Sequence, residues 1–160
     1  MKTKEKNLEQ KYIETTRKLT GVSPVAQGAK VPPWLRSKII AAGKAIGLDA
    51  AAAYTRAGMA SVLFQKLLIR LDEIDSVALK GQHCSYRGLF DHAGTTKIAG
   101  QLCYVLEPYR GGKTEKDWKD FVAFAAARLS KTLDCCVYFT STSWHYPENT
   151  YRIVFSENEI

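Results

Sequence analysis

Near residue 77 the apolar residues of this chain change their period, and no other feature limits its architecture as much. Before that point the spacing is helical. Pro33 is placed as the first residue of a helix that runs from Trp34 to Ile46, and Gly47 closes it. Asp49 then caps a longer helix from Ala50 to Ile74. Its apolar positions Ala53, Met59, Val62, Leu63, Leu67, Ile69 and Leu71 cover more than one face, which predicts a central packing element.

After residue 77 the pattern alternates, as strands do. Tyr86, Gly88, Phe90 and His92 share one face, and Arg87, Leu89 and Asp91 the other. Ala93–Thr96 is the expected hairpin turn, and the return strand carries Ile98, Gly100, Leu102, Tyr104 and Leu106 before Pro108 ends it. Thr114 begins a further helix, with Asp117 at the capping-box position and Trp118, Phe121, Val122, Ala125 and Leu129 as its buried stripe. Residues 134–141 read as a strand apolar on both faces, hence central in the sheet. The loop SWHYPENT leads to a last strand, Tyr151 to Phe155.

The expected class is therefore α+β: N-terminal helices followed by a ββαββ, mostly antiparallel sheet with one packed helix. Residues 1–33 read as a basic arm and linker, with a periodicity thin enough to leave the arm unstructured until something binds it. Residues 34–160 read as one domain, helical over 34–76 and ββαββ over 77–160.

Charge is placed unevenly. Residues 1–47 hold ten Lys/Arg against three Asp/Glu, whereas residues 48–160 hold thirteen of each. The whole surplus thus belongs to the arm and first helix. Such a segment suits nucleic acid, an acidic protein surface or anionic lipid, or serves only as a solvated arm. Apolar runs are shorter than a membrane span and interrupted by Arg and Lys, and no apolar core follows the basic N-terminus. A cytoplasmic protein without a membrane segment is expected. Cys84, Cys103, Cys135 and Cys136 form no CxxC pair, which argues against a zinc ribbon and for reduced thiols.

Three groups of residues carry candidate chemistry. His92, Glu107 and His145 supply two imidazoles and a carboxylate, suited to a divalent metal or a general acid/base pair if the two hairpins lie side by side. A histidine beside a turn is also an ordinary hydrogen-bonding residue. Arg110-Gly-Gly-Lys113-Thr114 follows a strand and opens a helix, where amide N–H groups attract anions, although a plain glycine turn explains the same letters. It is no P-loop, because Glu107 stands where the first glycine would fall. In Ser143-Trp144-His145-Tyr146-Pro147 the rings of Trp144 and Tyr146 can stack on nucleobases or cap the core. The residues single out no cofactor. Residues 50–53 are all alanine, so a helix-turn-helix reading fails for want of base-reading side chains.

The leading expectation is a nucleic-acid-associated protein. Lys4, Lys6, Lys11, Arg17 and Lys18 would hold phosphates, with Arg110, Lys113, Trp144 and Tyr146 engaging nucleotides or single strands. One alternative is a hydrolase or transferase on a phosphate-bearing substrate, using His92, Glu107 or His145. Another is a binding module or inhibitor whose arm docks on an acidic surface.

Overall fold

Pro33 opens helix α1, Pro33–Ala45, in the computed structural model, which describes residues 26–27, 31–48, 59–82, 84–108, 110–142 and 150–160. Proline is tolerated there because the first turn has no partner for its missing N–H. Gly47 ends the helix at φ 81°, a left-handed conformation that spares glycine the Cβ clash. The amide of Gly47 reaches the Lys44 carbonyl at 3.2 Å and that of Leu48 the Gly43 carbonyl at 2.9 Å, satisfying the last turn.

Helix α2, Ala60–Ile74, buries Leu63, Phe64, Leu67, Leu68 and Leu71. The expected burial of more than one face does not hold at Met59, Val62 and Ile69, which are exposed, because the buried residues of the helix lie on the side that meets the sheet. Residues 50–58 lie outside the described residues. A short helix α3, Ser76–Lys80, and a 3-10 turn, Tyr86–Leu89, follow. Helical structure therefore continues past residue 77.

The strand expected over Tyr86–His92 is accordingly absent, and the hairpin is displaced. The Asp72 carboxylate accepts from the Tyr86 amide at 2.6 Å and the Arg87 amide at 3.4 Å, which favours the turn over an extended chain. Strand β2 is His92–Ile98 and β3 is Gln101–Glu107. They are joined at Ala99 (φ 51°) and Gly100 (φ 80°) instead of at Ala93–Thr96. A two-residue hairpin turn of this kind needs positive φ, which β-branched residues such as Thr95 and Thr96 resist, whereas the extended backbone of a strand favours them.

Helix α4, Glu115–Leu133, forms as its cap and stripe dictate. Thr114 accepts from the Asp117 amide at 3.2 Å, and Trp118, Phe121, Val122, Ala125 and Leu129 are buried. Strands β4, Cys136–Thr142, and β5, Thr150–Ser156, complete an antiparallel sheet. Ala26–Gln27, inside the expected linker, form a two-residue strand β1 that pairs with Thr95 and Gly94. Val31 is 4% exposed, so the chain enters the core before Pro33.

The strand order is β1-β2-β3-β5-β4, which puts β4 at the edge and not, as expected, in the centre. Its apolar character on both faces has another cause. Val137 and Phe139 lie opposite Phe155 and Ile153 on the face toward the helices. Tyr138, on the other face, receives the Ile160 amide at its hydroxyl (3.4 Å), so the C-terminal residues shelter it.

Phe64 meets Tyr104 and Phe155 at ring separations of 6.3 and 5.6 Å, which seats α2 on the face that carries them. Tyr86 stacks on Phe121 and Phe124 and thereby ties the 3-10 turn to α4. Each buried ring or leucine contributes about 1.5–3 kcal/mol through removal of apolar surface from water.

Candidate functional site

His92 and Glu107 are cross-strand partners on β2 and β3, so their side chains share a face. Their chemistry is shaped by neighbours. Glu107 pairs with Arg152 on β5, Oε1 to Nε 3.3 Å, and the Arg152 side chain is only 3% exposed. A guanidinium withdrawn from water requires a counter-charge, which makes Glu107 first of all that counter-charge. His92 Nε2 lies 3.6 Å from Asp91 Oδ2 at the exposed end of the strand. No group of three His, Cys, Asp or Glu able to hold a metal exists among the described residues. His145, with Trp144 and Tyr146, lies outside them, as do Lys4, Lys6, Lys11, Arg17 and Lys18.

The Arg110–Thr114 segment divides its two cations. Arg110 Nε donates to the Lys113 carbonyl at 2.9 Å and draws together the loop in which Gly111 takes φ 67°. Its charge still reaches Tyr151 on β5, whose hydroxyl pKa is raised by burial and by Glu115 and lowered by Arg110. Lys113 turns the other way, with Nζ 5.8 Å from the centre of the Trp118 ring. That ammonium is held by the ring's negative face.

Lys113 thereby reaches a cleft of about 420 Å³ between α3, the 3-10 turn and the first turns of α4. Lys80, Cys84, Ser85 and Gly88 form one side, over Leu79. Trp118 and Phe121, 2% and 1% exposed, form the floor. The volume lies within the range of about 300–1,000 Å³ typical of small-molecule sites. Burial raises the Cys84 pKa, with Lys113 lowering and Asp117 raising it, so the thiol stays protonated at neutral pH. Trp118 Nε1 is buried without a hydrogen-bond partner among the described residues. An orphaned buried donor costs roughly 1–3 kcal/mol, so such a group in a native fold calls for a reason.

A polar clasp holds this wall of the cleft. Asp75, following α2, accepts from the Tyr86 hydroxyl at 2.6 Å and from Arg128 of α4 through Nε (2.7 Å) and Nη2 (3.3 Å). Burial raises the Asp75 pKa, but the hydrogen bonds from Arg128 and Tyr86, with the Arg128 charge, outweigh it and leave the carboxyl below its ordinary value. Tyr86, wholly buried, has its pKa pushed well up by burial and by Asp75.

Of the described residues singled out in the sequence as candidate site residues, Lys113 alone lines this cleft; Lys80, Cys84, Ser85, Gly88 and Trp118 were not foreseen there. The available signal was a Lys-x-x-x-Cys-Ser run directly after a helix, which a strand reading of the segment hides.

These features define an α+β protein with an antiparallel sheet, helices packed on the Tyr104–Phe155 face, and a lysine-lined cleft at the start of α4. No protein-family model, curated protein or solved structure matches the chain. No helix among the described residues is long and apolar enough to cross a membrane.

Proposed function

We propose that the protein associates with nucleic acid, holding backbone phosphates through the basic residues of its first 47 positions. The observation that carries this reading is the segregation of charge: the +7 surplus lies entirely within residues 1–47, and the remainder is balanced. Helix α1 supports it, since Arg36, Lys38 and Lys44 are its charged residues and it has no acidic one. Lys38 lies 3.7 Å from Asp134, which is itself almost fully exposed, so this pair is weakly held and leaves Lys38 available to phosphates. Cytoplasmic residence accords with four free cysteines, of which Cys103 and Cys135 have pKa values pushed up to about 11 and about 12 by burial.

Fluorescence anisotropy with the full chain and labelled single- and double-stranded DNA and RNA tests the reading. Binding is expected to fall as salt rises, because each phosphate contact releases counterion. Neutralising Lys4, Lys6, Lys11, Arg17 and Lys18 should weaken it and flatten the salt slope. Absence of binding to any of these at low salt would refute the proposal.

A further inference from the structure

We propose that the cleft between α3 and the start of α4 binds a phosphate monoester, with Lys80 and Lys113 as counter-ions and the Ser85 hydroxyl and Trp118 indole N–H as donors. None of these residues belongs to the basic segment 1–47, so this site stands or falls independently of nucleic-acid association.

The polar groups of the cleft are nearly all donors. The described lining side chains carry two ammonium groups, a hydroxyl, a protonated thiol and an indole N–H, so a ligand there must bring acceptors and negative charge. A phosphate monoester carries close to two negative charges at neutral pH and three terminal oxygens. It matches two lysines better than a carboxylate or a backbone diester, each with a single charge. Asp117 is also near, as its effect on Cys84 shows, and its charge offsets part of one lysine. Two cations are therefore required to leave the cleft attractive to an anion.

The orphaned indole is the independent sign of a ligand. Trp118 lines the cleft, is 2% exposed, and its Nε1–H has no acceptor among the described residues. A phosphate oxygen supplies that acceptor if the floor yields enough to uncover Nε1, which is closed to water. Lys113 is already stationed over the same ring, so less freedom is lost when it engages an anion. The first turn of α4 adds amide dipoles of the favourable sign. The burial of Trp118 and Phe121 leaves no open ring face for a base to stack on, so recognition centres on the phosphate. The volume of about 420 Å³ leaves room for the organic body attached to it.

A phosphate monoester can come from a small phosphorylated molecule or from the phosphorylated end of a nucleic-acid strand. Nuclear magnetic resonance on the uniformly 15N-labelled full chain separates these sources. The Trp118 indole N–H signal, assigned with Trp118→Phe, is followed during titration with adenosine 5′-monophosphate, adenosine and a 5′-phosphorylated dinucleotide. The monophosphate should move this signal and adenosine should not. Equal affinity for monophosphate and dinucleotide points to small phosphorylated molecules, and at least about tenfold tighter binding of the dinucleotide points to strand ends. Lys113→Gln should weaken binding about tenfold or more. Lys80→Gln, at an exposed position, provides the same reading if Lys113→Gln perturbs the loop. No movement of the signal up to ~10 mM monophosphate, equal movement with adenosine, or unchanged affinity in both lysine variants would overturn the proposal.

Discussion

Replacing Asp75 with alanine removes the acceptor on which two elements converge. The Tyr86 hydroxyl, wholly buried, loses its 2.6 Å partner, and Arg128 keeps only its 2.9 Å bond to Thr132 from this network. A hydrogen bond to a charged group is worth about 1.5–3 kcal/mol, and a stranded buried hydroxyl costs about 1–3 kcal/mol. The Asp75 and Arg128 side chains are 16% and 28% exposed, so water can compensate part of the loss. A net destabilisation of about 3 kcal/mol follows, below the sum of the separate terms. For a chain of this size that is a fall of roughly 6–12 °C in Tm. Urea unfolding followed by circular dichroism, with the double-mutant cycle to Arg128→Ala, measures both the loss and the coupling. Acid titration adds a second signature. The Asp75 pKa is lowered, so its stabilisation is complete above the ordinary value of 3.8 and is lost as pH falls through the depressed one. Asp72 acts oppositely: burial raises its pKa past the lowering effect of the Tyr86 and Arg87 amides, so its contribution is fullest below 3.8 and is lost as pH rises. The gap between wild type and Asp75→Ala should therefore be full at neutral pH and shrink below 3.8. A loss under about 1 kcal/mol at neutral pH, or a gap that widens in acid, would refute this account of the clasp.

Two further substitutions test the sheet. Ala99→Asn should stabilise by about 1 kcal/mol in urea unfolding, because asparagine accepts the positive φ that alanine adopts only with strain; no gain would show that the turn conformation differs. Glu107→Gln should destabilise by about 2–3 kcal/mol by removing the carboxylate charge paired with buried Arg152, while His92→Ala, half exposed, should cost less than about 0.5 kcal/mol. Thermal melts that reverse this ranking would make His92 the structural member of the pair.

Helix α4 was fully legible in the sequence, since its Thr114 cap and its stripe from Trp118 to Leu129 depend on neighbours within a few residues. The same holds for the Pro33 start and Gly47 end of α1, and for the ββαββ order that follows from alternating and helical periods. Misreadings arose where a distant group decided a local outcome. Tyr86–Leu89 alternates as a strand would, yet Asp72, 14 residues earlier, takes the Tyr86 amide and fixes a turn. The apolar run of β4 suggested a central strand, because sequence shows that both faces are covered but not by what; the order β3-β5-β4 and the Ile160 contact decided that. His92 and Glu107 were recognised as residue types, but only the register of β2 on β3 made them neighbours and only the fold brought Arg152 to claim the carboxylate. The cleft was hidden for the same reason. Lys80 and Lys113 are 33 residues apart in the chain, and periodicity records which face a residue takes within its own element, whereas a binding site depends on how separate elements are set against one another.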